Sequence, residues 1–245
     1  MVKLLVGATA LWFGVRAAWR KVMSKDQVTP APAAPAGNNA SVVDAALVAE
    51  AARLGLPVRA VKAVMQVEAG GHPFGPDGRL LIRFEPHVFA RLTAQAALGL
   101  KTRPTTAQRD QYGTIVLNPG MTSIDRPRER TGGQVGEWDT FQRASAHSPE
   151  LAAQATSFGL GQIMGFNYAA AGYPSALTMM NAFARSAAEQ VRGMLQFISH
   201  DARLVTAIKN NDFKKFAAVY NGAPEGTPDN TRYATRMRAA YDKLA

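Results

Sequence analysis

The sequence predicts a mainly α-helical domain with one small β-hairpin, preceded by an apolar N-terminal helix. Three observations carry that expectation. Alanine is abundant and β-branched runs are short, which favours helices. From Ser41 onward, capping residues and glycine or proline stops divide the chain into apolar stretches of helical period. A turn signal, Gly75-Pro76-Asp77-Gly78, stands beside Leu80 to Phe84, a run short enough for a strand. The chain has 245 residues, 47% hydrophobic and 19% charged, enough for one core with additions.

Residues 1–26 read as a signal-anchor or export segment. Within Met1 to Trp19, the apolar stretch Leu4 to Val15 lies between Lys3 and Arg16. It is short for a membrane span, which needs about 20 apolar residues, and suits the apolar part of an export signal. An amphipathic helix on a cytoplasmic protein is the competing reading. Arg16, Arg20, Lys21 and Lys25 also oppose translocation of the C-terminal part of the chain. Residues 27–40 form a Pro/Ala linker in which alternating prolines favour an extended spacer. The folded domain is expected over 41–245.

Ser41 is placed to cap a helix through Leu54, which Gly55 ends. Pro57 suits the start of a second helix, running to about Ala69 and stopped by Gly70-Gly71. Pro86 opens a third, to about Leu98. Lys101 to Gly136 is rich in Pro, Gly and charge and reads as a long irregular insertion with one short helix. Helical patterns resume over Glu137–Ala146, Pro149–Ala155, Ala187–Ser199, Phe213–Tyr220 and Thr231–Leu244. Asp212 can cap the helix that Tyr220 and Asn221 close.

Composition excludes several chemistries. The absence of cysteine removes disulfides, thiol nucleophiles and Cys-ligated zinc. His72, His87, His147 and His200 show neither HExxH spacing nor a metal cluster. No GxSxG elbow or P-loop is present. No cofactor and no metal is expected. The net charge of +10 attracts anionic polymers, a class that includes nucleic acid, anionic lipid and the bacterial wall. The run Asp125 to Arg130 carries mixed charge and reads as a solvated loop, so a nucleic-acid partner is not expected.

Glu68 is the first candidate for chemistry. Val61, Val64, Met65 and Glu68 follow the i, i+3, i+4, i+7 spacing, which puts Glu68 on an apolar helix face at its C-terminal end. Burial and the negative helix end both disfavour its carboxylate. A carboxylic acid held protonated near neutral pH is the general acid that glycoside cleavage needs. By spacing alone, a glutamate fraying into solvent is the plainer reading. Glu85, ahead of Pro86, could be the second carboxylate or simply a negative residue at a helix start. Glu137 and Asp139 are weaker candidates. The run Ser157-Phe158-Gly159-Leu160-Gly161-Gln162-Ile163-Met164-Gly165 is no dinucleotide fingerprint. Its glycines would let backbone approach a ligand, or make a tight turn between packed helices.

In combination these segments are more specific. Val67-Glu68-Ala69-Gly70-Gly71, then Leu81 to Phe89, then Ser157 to Tyr168, then Ala217-Ala218-Val219-Tyr220-Asn221-Gly222, occur in an order that resembles the N-acetylmuramidase family of bacteriophage endolysins. More distantly it is similar to goose-type lysozymes and lytic transglycosylases. The resemblance covers roughly Ser41 to Leu244. It implies a lysozyme-like helical fold with a substrate cleft and Glu68 as catalytic acid. It implies Ser157, Gly159, Gln162, Tyr168, Tyr220 and Asn221 as residues that shape the cleft and hold sugar, with Glu85 at the family's second carboxylate position. Ala69 and Phe158 depart from the Ser and Trp common among relatives. The resemblance further implies peptidoglycan glycan strands as partner and a monomeric hydrolase of the bond between N-acetylmuramic acid and N-acetylglucosamine. The first 19 residues would engage the inner membrane or export machinery of the host bacterium, delivering a cytoplasmic product to the periplasm. A lytic transglycosylase giving 1,6-anhydro products and a non-catalytic wall-binding protein are the alternatives.

Overall fold

The computed structural model describes residues 40–109, 111 and 133–244. The expected export segment, nearly all of the linker and much of the insertion lie outside the described residues. Within them, no helix is long and apolar enough to cross a membrane.

The fold is mainly α with a small sheet, as expected. In chain order the elements are α1 (Ala40–Leu54), α2 (Val58–Ala69), β1 (Ile82–Phe84), α3 (Pro86–Leu98), α4 (Gly133–His147), α5 (Pro149–Gln154), β2 (Thr156–Phe158), β3 (Ile163–Met164), a 3-10 turn (Gly165–Asn167), α6 (Ala176–Arg185), α7 (Ala187–His200), α8 (Ala202–Lys209), α9 (Phe213–Tyr220) and α10 (Pro228–Lys243). Helices α6 and α8 are absent from the sequence reading, although their start signals are present. Ser175 accepts from the Thr178 N–H and Asp201 from the Arg203 N–H. Ser41 lies inside the first turn of α1 rather than capping it. Asp212 caps α9 as expected, accepting from the Lys215 N–H.

The sheet is larger than the expected hairpin. A bridge between Phe74 and Leu80 does close around the Gly75–Gly78 turn. The sheet itself, however, has order β1-β2-β3, all antiparallel, with Ile82 opposite Phe158 and Phe158 opposite Ile163. The partner of β1 comes from the glycine-rich segment, a distance in sequence that local alternation does not encode.

The edge of β1 facing α4 is closed by side chains. Gln134 accepts from the Ile82 N–H at 3.0 Å and donates to the Ile82 carbonyl at 2.9 Å, imitating a neighbouring strand. Glu137 accepts from the Phe84 N–H at 2.8 Å, and the Trp138 indole donates to the Leu80 carbonyl at 3.2 Å. Glu137 is therefore a structural acceptor. Asp139 sits on the surface in an ion pair with Arg143.

One core joins the elements. Phe84, Phe89, Phe141, Phe158, Phe183 and Phe216 are among its fully buried side chains. Phe158 occupies core volume, so the departure from Trp there changes packing inside the protein. Helix α1 packs on α7, and α2 packs on α10.

Candidate active site

Glu68 stands where the periodicity places it. Val61, Val64 and Met65 are buried on the same face of α2, and Glu68 is half-buried at the end of that stripe. Gly70, with φ of 60°, ends the helix in the left-handed conformation that glycine adopts at no steric cost. Burial pushes the Glu68 carboxyl up to about 7, against the opposing pull of the Tyr233 hydroxyl and of the Arg236 and Arg83 guanidiniums. The Tyr233 hydroxyl donates to Glu68 Oε1 at 2.5 Å. Arg236, one turn further along α10, donates from Nη2 to the Val67 carbonyl at 2.6 Å. The acid is thus held from α10 through a bond to its carboxyl and a bond to its own helix end.

The glycine-rich segment forms the β2–β3 loop. Its glycines approach the protein's own atoms. A Cβ on Gly159 would lie 2.5 Å from Gln190 Oε1, and one on Gly161 would lie 2.6 Å from Met194 Cγ. Close packing against α7 is thus one reason for glycine at these positions. Gln162 turns the loop with φ of 45°, unusual outside glycine. Its side chain accepts from Ser157 Oγ at 2.9 Å and donates to the Gly159 carbonyl at 2.9 Å. Ser157 is buried, so its hydroxyl positions Gln162 instead of facing a sugar.

Gln190, which sequence reading passes over, anchors this loop from α7. Its fully buried amide accepts from the Leu160 N–H at 3.0 Å and donates to the carbonyls of Pro73 at 3.1 Å and Phe183 at 2.9 Å. Truncating it strands three backbone groups, those of Leu160 and Phe183 fully buried. Gln190→Ala is expected to lose about 3 kcal/mol of stability, read from urea unfolding; an unchanged midpoint would show that water replaces the amide.

Tyr220 ties the loop to α9. Its hydroxyl donates to the Gly161 carbonyl at 2.7 Å, and it lies within electrostatic reach of Glu68. Its ring stacks on Phe216 with centroids 4.9 Å apart and meets Phe197 edge-on. That ring face is occupied by protein. Asn221 ends α9, its backbone N–H donating to the Ala217 carbonyl, and is exposed. Tyr168 follows the 3-10 turn and packs against the core; its described hydrogen bonds are backbone ones, to the Gly165 carbonyl and from the Tyr173 N–H, and none joins the Glu68 cluster. Glu85 lies at the start of α3 in an ion pair with Arg83 Nε at 2.9 Å, with His87 Nδ1 at 3.5 Å. Arg83 thereby acts on both carboxylates.

Among the described residues, concavities of about 440 and 330 Å³ lie along α8–α9 and between α1 and α7. Neither is lined by Glu68, Glu85 or the β2–β3 loop.

The N-acetylmuramidase family model matches residues 57–245. The chain belongs to the N-acetylmuramidase family. The match begins at Pro57 and so takes in α2 with Glu68, the loop and α10. Among solved structures, the chain is similar to the Burkholderia AP3 phage endolysin, seen in a crystal structure. They share 30% identity over 82% of this chain and 69% of that one, with a TM-score of 0.61. No curated protein matches the chain. Family membership makes this a peptidoglycan-cleaving enzyme, and among the described carboxylates Glu68 is the one pushed up to about 7 by burial.

Proposed function

We propose that the protein hydrolyses the β-1,4 bond between N-acetylmuramic acid and N-acetylglucosamine, with Glu68 as general acid, and so lyses bacterial walls. The observation that carries this is the half-buried carboxyl of Glu68, raised to about 7 and held by Tyr233. An acid with that value keeps its proton in about half of the molecules at neutral pH and releases it readily. Glu68 gives its proton to the glycosidic oxygen while the bond to the anomeric carbon breaks. Water then adds to that carbon. Glu85, oriented by Arg83, is the second carboxylate proposed to direct it. Gln162, on the β2–β3 loop, with Tyr168 and Asn221, is proposed to contact the glycan strand. The net positive charge holds the enzyme on an anionic wall.

Residues 1–26 are proposed to carry the domain to the periplasm. Finding the full-length protein only in soluble cytoplasm, with no partner that moves it, would overturn that.

Mass spectrometry of digested peptidoglycan tests the reaction. Hydrolysis adds the mass of one water per cut, whereas 1,6-anhydro ends would show that the sugar's own hydroxyl attacks. A pH series gives an independent check. The proton required on Glu68 is lost as pH rises through about 7. The rate should therefore fall about tenfold per pH unit above that point. A rate that stays level to pH 9 would remove Glu68 from the acid role.

A further inference from the structure

Resting on the assignment of Glu68 as the acid, a second group emerges from the end of α2. A helix leaves its last four carbonyls without partners in the helix. Here the Gly70 N–H donates to the Gln66 carbonyl and the His72 N–H to that of Ala69. The Val67 carbonyl, next to the acid in sequence, is taken by Arg236 at 2.6 Å. Arg236 reaches it from α10, one turn beyond Tyr233, whose hydroxyl holds the Glu68 carboxyl. The contact is matched at the far end of the same helix pair. Arg59 of α2 donates to the Tyr241 carbonyl of α10 at 2.8 Å, with its guanidinium 3.9 Å over the Tyr241 ring. Two arginine-to-carbonyl bonds in opposite directions therefore fix the antiparallel pair.

We propose that Arg236 is a positioning residue for the cleavage: it fixes the last turn of α2 and presents positive charge to the Glu68 carboxylate formed when the acid gives up its proton. In that step the Glu68 proton moves to the glycosidic oxygen. The electron pair of the bond to the anomeric carbon stays with that oxygen, which leaves as a hydroxyl. The oxygen of water bonds to the carbon, and one water proton restores Glu68. Between these events Glu68 is an anion beside the negative end of a helix, the least favourable place for one. A guanidinium bonded to that helix end offsets both charges. The other groups acting on Glu68 are Tyr233 of α10, Tyr220 of α9, and Arg83 of β1, which is shared with Glu85. From α1, Asp44 is held by Lys62, and Lys209 of α8 sits near Gly55 at the opposite end of α2.

The test is the pH dependence of peptidoglycan cleavage by the full chain and by Arg236→Gln and Arg236→Lys. Gln keeps a donor for the Val67 carbonyl and removes the charge, whereas Lys keeps the charge. The Arg236 residue is exposed, so both variants should fold, as thermal melting will show. For the Gln variant, kcat should fall about tenfold with KM within twofold, and the alkaline limb should move up by about half a pH unit or more. The Lys variant should keep the limb of the parent. A Gln variant whose limb stays in place, or whose loss appears only in KM, would overturn the proposal, the latter pointing to substrate contact. Glu68→Gln, run alongside, separates the two ideas. If that variant retains activity, the assignment of the acid fails; if it is inactive while the Arg236→Gln limb stays in place, only the role of Arg236 fails.

Discussion

Glu68→Gln is expected to lose peptidoglycan cleavage by a factor of about 10² to 10⁴, the contribution of a positioned general acid. The same variant should be more stable than the parent in alkaline solution. Glutamine still offers an oxygen to the Tyr233 hydroxyl, so the bond from α10 survives. What disappears is a carboxyl whose folded-state value, about 7, lies above its ordinary 4.5. The folded parent holds that proton more tightly than the unfolded chain does. Its stability from this group is therefore intact below about 4.5, declines as pH rises, and reaches its full loss above about 7. The difference between parent and variant should be near zero at pH 4 and on the order of 3 kcal/mol at pH 8. Urea unfolding at the two pH values measures it. Equal stability at both would mean that the carboxyl is well hydrated, and the chemical assignment would lose its basis.

Gly165→Ala should be the most damaging single methyl in the described fold. Gly165 begins the 3-10 turn after β3, and a Cβ there would lie 1.8 Å from the Ala153 carbonyl oxygen and 2.9 Å from the Gln154 Cα. Both atoms belong to the backbone of α5, so no side-chain rotation relieves the contact. Either α5 or the turn must move. The turn continues directly from β3, whose partner β2 carries Ser157, and Ser157 holds Gln162. The expected cost is about 3 kcal/mol, which for a domain of this size lowers Tm by roughly 10 °C. Activity should fall as well, because the loop shifts against Tyr220. Differential scanning calorimetry together with wall turbidity would record both. A variant that melts like the parent would show that the turn has more room than these distances allow.

Much of the helical layout was legible because its signals are local. The apolar spacing of Val61, Val64, Met65 and Glu68 is a property of one short segment, and it put Glu68 on the correct face at the correct end. Asp212 announced α9 in the same way. Helices α6 and α8 were missed although Ser175 and Asp201 cap them, since both are short and their periodic signal is brief. Glycines 159, 161 and 165 were visible as glycines, but the atoms that crowd them were not.

By itself the sequence determined the family, the helical character and the position of the acid along its helix, because periodicity and caps act over a few residues. The tertiary structure alone decided what surrounds that acid. Tyr233 lies 165 residues away, and Arg236 lies 169 residues from the carbonyl it holds. Gln190 reaches back 117 residues to Pro73, and Gln134 completes the edge of a strand 52 residues earlier. No spacing encodes such partners. They meet only when burial of apolar surface brings α2 against α10 and α7 against the loop, and that same burial pushes the Glu68 carboxyl up to about 7.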